Sequence, residues 1–141
     1  MTEAQTGTHT AISKTEDLRE FYARYVEMAN TRDFDGMREI LHEEVDLGGQ
    51  LVPRDAIITE FRKHTDAVPD IHWEVDELLV DGDRLSVRAT DTGTPVSTWH
   101  GLEPNGSAIT VTETAFYQVV DGKFARMWYL MDINSLKTQL A

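Results

Sequence analysis

Residues 109–132 read ITVTETAFYQVVDGKFARMWYLMD, and this stretch decides the fold of the chain. It predicts two long strands joined by a turn at Asp121-Gly122, because an Asp-Gly pair between strand-like segments is a strong hairpin signal. Side chains alternate between the two faces of a strand. One face of the first strand carries an apolar row with a single carboxylate: Ile109, Val111, Glu113, Ala115, Tyr117 and Val119. A lone carboxylate in such a row indicates either an active site or a poorly matched core.

The second strand of this hairpin has the same alternation. One predicted face carries Ala125, Met127, Tyr129 and Met131. The other predicted face carries Phe124, Arg126, Trp128 and Leu130. The alternation therefore places the phenol of Tyr129 near the carboxylate on the neighbouring strand.

The composition indicates one globular domain of 141 residues, with a net charge of −12 and no cysteine. Such a charge repels nucleic acid and anionic membrane surfaces, so neither is an expected partner. The absence of cysteine excludes disulfides and thiol catalysis. Residues 1–12 lack the pattern of a signal peptide. We interpret them as a mobile tail before a domain at residues 13–141, and we expect a cytoplasmic protein.

Helical patterns occupy the first half of the chain. A capping-box pattern predicts that a first helix starts at Ser13. Apolar residues at helical spacing predict a second, short helix that includes Leu41. A short strand at residues 45–47 follows. A third helix begins after Pro53 and ends before Pro69, because the residue before a proline disfavours helix.

From residue 71 the pattern changes to strands. Residues 71–80 and 84–94 predict one antiparallel pair, residues 109–132 predict another, and Asp132 has the chemistry of an N-cap for a last helix. Helices followed by an antiparallel meander predict an α+β fold. Strands of this length must twist and curl. We therefore expect a cone-shaped, curved antiparallel sheet wrapped on the N-terminal helices, enclosing a small-molecule pocket.

Several short motifs are spread over the chain. They are NTRDFD at 30–35, PDI at 69–71, GDRLSVR at 82–88, GT at 93–94, WHGLEPNG at 99–106, DGK at 121–123 and the ending from Trp128 to Asp132. Together they resemble the SnoaL-like polyketide cyclase family. That family belongs to the superfamily typified by nuclear transport factor 2 and ketosteroid isomerase. The resemblance covers nearly the whole chain from about Thr15.

The resemblance implies a homodimer whose subunits each hold a polyketide-like substrate, with no metal or organic cofactor. It also implies ring closure by general acid–base chemistry, with an aspartate on the last long strand. Counting back from residues 121–123, the position of that aspartate is Tyr129 in this chain. The histidine often paired with it falls at Ala115. If the chain is an enzyme, its acid–base pair must therefore lie elsewhere.

Four residues are candidates for catalysis: Glu113, Asp91, Tyr129 and His100. An inward Glu113 is desolvated, which raises the pKa of a carboxyl towards values useful to a general acid or base. The parity of its strand also points Asp91 into the pocket, and two carboxylates in one pocket push their pKa values apart. Tyr129 can donate a hydrogen bond, and His100 titrates near neutrality. The alternatives are a bulge that turns Glu113 to solvent, a solvated strand end for Asp91, and structural roles for the other two.

The substrate-binding candidates are Tyr25, Met28, Asp46, Gln50, Trp73, Trp99, Met127 and Met131. Flat aromatic and pliable methionine surfaces suit a large apolar or polycyclic ligand, although the same residues also build cores. The other histidines show no metal-ligand spacing, so no metal is expected. The resemblance, taken with these candidate residues, implies a cofactor-independent cyclase of polyketide or antibiotic biosynthesis, in which a hydroxyl attacks an epoxide or an unsaturated carbonyl. The alternatives are a dehydratase, an isomerase, an epoxide hydrolase or a non-catalytic small-molecule binding protein.

Overall fold

The computed structural model describes residues 3–141, with side chains described from Asp17 onward. The helices in this range are α1 (Glu3–Thr31), α2 (Phe34–Glu39), α3 (Arg54–Ala67) and α4 (Ile133–Gln139). The strands are β1 (Leu41–Leu47), β2 (Gln50–Pro53), β3 (His72–Asp81), β4 (Arg84–Gly93), β5 (Ile109–Val120) and β6 (Lys123–Met131). No helix in this part of the chain is long and apolar enough to cross a membrane.

The strands form one curved, unclosed sheet in the order β2-β1-β6-β5-β4-β3. Neighbouring strands are antiparallel except β1 and β6, which run parallel. The main core lies between the inner face of this sheet and helices α1, α2 and α3. A smaller core beneath α4 closes one end of the sheet. The predicted α+β fold, with N-terminal helices against a curved sheet, is confirmed.

Two helix boundaries differ from the predictions. Helix α1 begins at Glu3, before the predicted start at Ser13, and no proline between these positions prevents this extension. The side chains of the predicted capping box lie outside those described, and the division of the chain at residue 12 stays a prediction. Helix α2 ends at Glu39, and Leu41 instead begins β1, where it pairs with Phe124. The predicted N-cap is confirmed, because the Asp132 carboxylate accepts a hydrogen bond from the Ser135 N–H at 3.1 Å.

The turn between β5 and β6 has the geometry that the sequence predicts. Asp121 and Gly122 have φ values of 53° and 76°. Positive φ at both central residues defines the type I′ turn, whose twist matches that of the flanking strands. The predicted hairpin is therefore confirmed, and its register fixes what faces the core.

A bulge at the start of β6 corrects one predicted face. Val119 pairs with Phe124, whereas Gln118 pairs with Arg126, so Ala125 is the extra residue. Phe124 therefore points inward and is completely buried, so the prediction that it shares a face with Arg126 and Trp128 is wrong. The shift lies outside the stretch around Glu113, where β5 keeps strict alternation along its whole length.

Candidate active site

A cavity of about 650 Å³ lies between the helices and the inner face of the sheet. Eight of the predicted site residues line it: Glu113, Asp91, Tyr129, His100, Tyr25, Trp73, Trp99 and Met131. The lining residues that the structure describes include three acids, Glu60, Asp91 and Glu113, but no lysine or arginine. The interior is thus aromatic and apolar, and its acidic groups have no cationic partner in the wall.

The strand register brings Asp91 and Glu113 together. Glu113 on β5 lies opposite Ala89, and Asp91 on β4 lies opposite Val111. Since all four residues share the inner face, the two carboxyls are diagonal neighbours on adjacent strands. Glu113 is half-buried on the cavity wall, as its alternation predicts. A bulge that turns Glu113 to solvent is not present in β5.

Asp91 has an unusual environment for a carboxyl group. It is 0% exposed and is the one buried charged residue in the part of the chain with described side chains. Within those residues, no donor reaches either of its oxygens. Burial, together with the carboxyl of Glu113, raises the pKa of Asp91 to about 10 from an ordinary 3.8. The solvated strand end considered for this residue is therefore wrong.

Protonation of Asp91 explains why no donor reaches its carboxyl oxygens. Two ionised carboxylates cannot hydrogen-bond to each other, because both only accept. A proton retained by Asp91 supplies a donor for the neighbouring Glu113. Glu113, whose side chain lines the cavity, is then the acceptor of the pair.

All four tyrosines of the chain line the same cavity. The hydroxyl oxygens of Tyr22 and Tyr117 are 3.1 Å apart, and those of Tyr25 and Tyr129 are 3.2 Å apart. Burial raises the pKa of each phenol well above its usual range, and the charge of Glu113 also acts in this direction on all four. These groups therefore remain protonated at neutral pH and can donate hydrogen bonds.

Tyr129 is the tyrosine best placed to reach a ligand. It is 39% exposed, whereas Tyr25, to which its hydroxyl bonds, is 4% exposed. Because Tyr129 also lines the cavity, we take its exposed part to face that space. Tyr129 pairs directly with Ala115 across β5 and β6. The two positions that the family resemblance assigns to an acid and a histidine thus face each other, and here they hold a phenol and a methyl group.

The loop after β4 contains a tight turn that places His100 at the cavity. Trp99 and Leu102 exchange two backbone hydrogen bonds of 2.9 Å around His100 and Gly101, whose φ values are 50° and 74°. This is another type I′ turn. It buries Trp99 and leaves His100 exposed at the edge of the cavity. The rings of His100 and His64 lie 5.4 Å apart between centroids.

Sequence reasoning missed the two polar lining residues on α3, Glu60 and His64. A signal for them exists in the spacing of this helix. Ile57, Glu60, Phe61 and His64 recur at intervals of three and four residues, so they share one helical face. Two polar residues within an otherwise apolar stripe mark the point at which the stripe leaves the core and reaches the cavity.

Four predicted substrate-binding residues do not lie in the described lining. Met28 is half-buried against the main core, and Met127 is completely buried in it. The Asp46 carboxylate accepts from the Gly49 N–H at 2.8 Å and lies 3.6 Å from Arg126. Gln50 is exposed on β2. The described residues also contain no cluster of three or more His, Asp or Glu side chains arranged to hold a metal ion.

Comparisons with known proteins give one family match and several similar structures. The profile of the family described as SnoaL-like polyketide cyclase matches residues 19–140. A SnoaL-like polyketide cyclase from Agrobacterium tumefaciens is 26% identical, with a TM-score of 0.82 over 88% of this chain and 98% of its own. TsrD from Streptomyces laurentii is 25% identical, with a TM-score of 0.80 over 88% of this chain and 94% of its own. IdmH, a proposed polyketide cyclase from Streptomyces antibioticus, shares the fold at 21% identity, with a TM-score of 0.76 over 86% and 96% of the two chains. No curated protein matches the chain.

Proposed function

Because the chain belongs to the SnoaL-like polyketide cyclase family, we propose that it is an enzyme that closes a ring in a polyketide-type molecule of secondary metabolism, such as antibiotic biosynthesis. It works without a cofactor, by general acid–base catalysis. The observation that carries this proposal is the Asp91–Glu113 pair on the wall of a 650 Å³ cavity. A cavity of this size holds a molecule of several fused rings, and its aromatic lining suits a flat one.

The two carboxyls have different roles because their accessibility differs. Glu113 faces the cavity, so it is the general base that contacts the substrate. Asp91 is completely buried and acts through Glu113, so it is a positioning residue. As a neutral acid it donates a hydrogen bond to the Glu113 carboxylate. This bond orients Glu113 and leaves its other oxygen available to accept a substrate proton.

Ring closure needs one proton transfer and one new bond. The Glu113 carboxylate takes the proton of a substrate hydroxyl while that oxygen attacks a carbon of an epoxide or of an unsaturated carbonyl. A new C–O bond forms. The epoxide C–O bond breaks, or the electron pair of the double bond moves towards the carbonyl oxygen. The oxyanion or enolate that results receives the proton back from Glu113, so the product is an isomer of the substrate.

Tyr129 supplies a donor for this reaction. Its phenol remains protonated, and Tyr129 lines the cavity. Its hydroxyl lies 3.2 Å from that of Tyr25 and 3.5 Å from the sulfur of Met127, and a ligand oxygen that replaces the sulfur is a stronger acceptor for its proton. A hydrogen bond to the oxygen that gains charge stabilises the transition state more than the ground state. In this proposal the phenol at the position of the family's aspartate is the donor, and the base lies on the neighbouring strand.

The enzyme works as a homodimer that forms through the outer face of the sheet. Four large apolar side chains on that face are exposed by more than half of their surface: Leu79 at 61%, Phe116 at 62%, Trp128 at 55% and Leu130 at 74%. Phe116 pairs with Trp128 across β5 and β6, and Ser86 connects Phe116 to Leu79 across β4. An apolar patch that continues across several strands favours association with a second copy.

The mass and the NMR spectrum of the product together distinguish the proposed reaction from its alternatives. Purified protein is incubated with a polyketide that carries a hydroxyl near an epoxide or an unsaturated ketone, and the mixture is analysed by chromatography, mass spectrometry and NMR. A cyclase gives a compound of unchanged mass that contains a new cyclic ether, whereas an isomerase gives a compound of unchanged mass without one. Loss of one water indicates a dehydratase, and gain of one water indicates an epoxide hydrolase. Either change in mass, or tight binding without turnover, contradicts the proposed ring closure.

A further inference from the structure

The type I′ turn at His100-Gly101 connects the loop after β4 to helix α3. It buries Trp99 to 3% exposure, and the indole N–H of Trp99 donates a hydrogen bond to Nδ1 of His64 at 3.0 Å. The ring of His64 is half-buried and lines the cavity. This contact joins residues that are 35 positions apart in the sequence. It fixes both the position of the imidazole and its tautomer.

The indole contact selects one tautomer of His64. An indole N–H can only donate, so Nδ1 of His64 must be the unprotonated acceptor. In a neutral imidazole the single proton is then on Nε2. Burial, aided by the nearby His100, lowers the pKa of His64 to about 4, although Glu60 acts in the opposite direction. The ring is therefore a neutral donor at physiological pH, and its one N–H is on Nε2.

That N–H has no acceptor among the described residues, since the hydrogen bond of the His64 ring within them is the one at Nδ1. Nε2 is also not among the enclosed polar atoms that lack a partner, so it is accessible. His64 and Glu113 both line the cavity, and His100 lies beside His64 on the same wall. The imidazole donor and the carboxylate base thus line one continuous space.

We propose that the Nε2–H of His64 is a hydrogen-bond donor for a ligand oxygen, namely a ketone or an epoxide oxygen of a neutral polycyclic molecule. This inference rests on the proposed function, in which a substrate oxygen gains negative charge as Glu113 takes a proton. A neutral imidazole suits this task because it can stabilise a developing oxyanion without itself neutralising Glu113. Trp99 is then a positioning residue, because it acts only by fixing the tautomer.

The test uses two probe molecules that differ in one acceptor oxygen. Binding of the ketone 1-tetralone and of the matched hydrocarbon tetralin is measured by calorimetry for wild type, His64→Leu and His64→Gln. Loss of one hydrogen bond predicts that His64→Leu binds 1-tetralone roughly tenfold more weakly and binds tetralin as wild type does. The glutamine amide retains a donor, so His64→Gln recovers most of the affinity for the ketone. A purely structural role weakens the binding of both probes equally, and that result overturns the inference.

A second measurement does not depend on either variant. Nitrogen-15 spectra of labelled histidine report directly which ring nitrogen carries the proton. We expect unprotonated Nδ1 and protonated Nε2 for His64 at neutral pH, and loss of this preference in Trp99→Phe. A protonated Nδ1 in the wild type contradicts the inference.

The outcomes also separate this inference from the proposed function. A protein that shows the ketone preference but closes no ring retains the donor and contradicts the proposed function alone. A protein that closes rings without any ketone preference contradicts the role of His64 alone.

Discussion

The two faces of β5 differ in character, and near the middle of each face one residue departs from that character. The inward face is apolar except for Glu113, and the outward face is largely polar but contains Phe116, which is 62% exposed. Neither exception stabilises the isolated subunit, because one places a carboxylate inside and the other leaves an aromatic ring in water. The exceptions therefore mark the two tasks that we propose for this strand, which are catalysis inside the cavity and association outside it.

Removing the inner exception gives the largest expected effect. Glu113→Gln keeps the shape of the side chain but removes the general base, so we expect turnover to fall by roughly 100- to 10,000-fold. Thermal unfolding remains close to that of wild type. The matched control is Glu74→Gln, an exposed glutamate on β3, which leaves turnover unchanged. Equal activity of the Glu113→Gln variant and wild type contradicts the assignment.

Removing the outer exception affects association and not folding. Phe116→Lys places a charge opposite Trp128 at the centre of the apolar patch, so we expect the dimer to dissociate about 100-fold more readily in analytical ultracentrifugation. Val96→Lys is the matched control, since Val96 is 63% exposed but lies outside the sheet. A wild-type protein that is monomeric at all accessible concentrations contradicts the proposed dimer.

The burial of Asp91 predicts a change of stability with pH. The unfolded chain releases this proton near the ordinary pKa of 3.8, whereas the folded protein retains it until about pH 10. The stability due to protonated Asp91 is thus fully present below pH 3.8 and is lost as pH rises, by at most about 1.4 kcal/mol per pH unit. Glu113 and Asp76 are the acids that add to the shift.

Asp91→Asn removes this titration and provides the check. Urea unfolding at about pH 5 and about pH 8 should show that the variant gains free energy of unfolding relative to wild type as pH rises. Asp121→Asn, in the exposed turn, removes a carboxylate of the same type and should leave the wild-type dependence intact. Parallel stability curves for wild type and Asp91→Asn would mean that Asp91 is already ionised in the folded state.

The tyrosine pairs give the smallest expected effect. Tyr25→Phe removes the hydroxyl that holds Tyr129, so we expect the free energy of unfolding to fall by roughly 0.5–1.5 kcal/mol. Tyr22→Phe removes the equivalent bond to Tyr117 and should cost a similar amount. Denaturation curves measure both. A loss several times larger for either variant would show that the rings, and not the hydroxyls, had been disturbed.

The sequence predicts the inner face of β5 well because strand parity is a local property. The orientation of Glu113 follows from alternation alone, and the Asp121-Gly122 turn follows from its own backbone chemistry. The bulge at Ala125 does not follow from local sequence, because it depends on how β6 pairs with β5. For the same reason, alternation in the sequence groups Phe124 with Arg126 and Trp128, whereas the structure places it on the inner face.

The remaining site residues depend on contacts between distant segments. The sequence predicts that Asp46 lies in the pocket. In the structure its carboxylate instead contacts Gly49 and Arg126, outside the cavity lining. In the sequence, nothing distinguishes His64 from a surface histidine. Its role depends on Trp99, which the turn after β4 places in contact with it. No local pattern contains that information, although the polar residues within the stripe of α3 give a partial signal.

The protonation state of Asp91 tests the central claim most directly, because it needs no substrate. Carbon-13 spectra of the protein labelled at aspartate side-chain carboxyls, recorded across the pH range, assign Asp91 by its absence in Asp91→Asn. We predict one aspartate signal that remains in the protonated position at neutral pH and titrates only towards pH 10. An Asp91 signal that already has the ionised position at neutral pH would contradict the account of the buried acid and its partner Glu113.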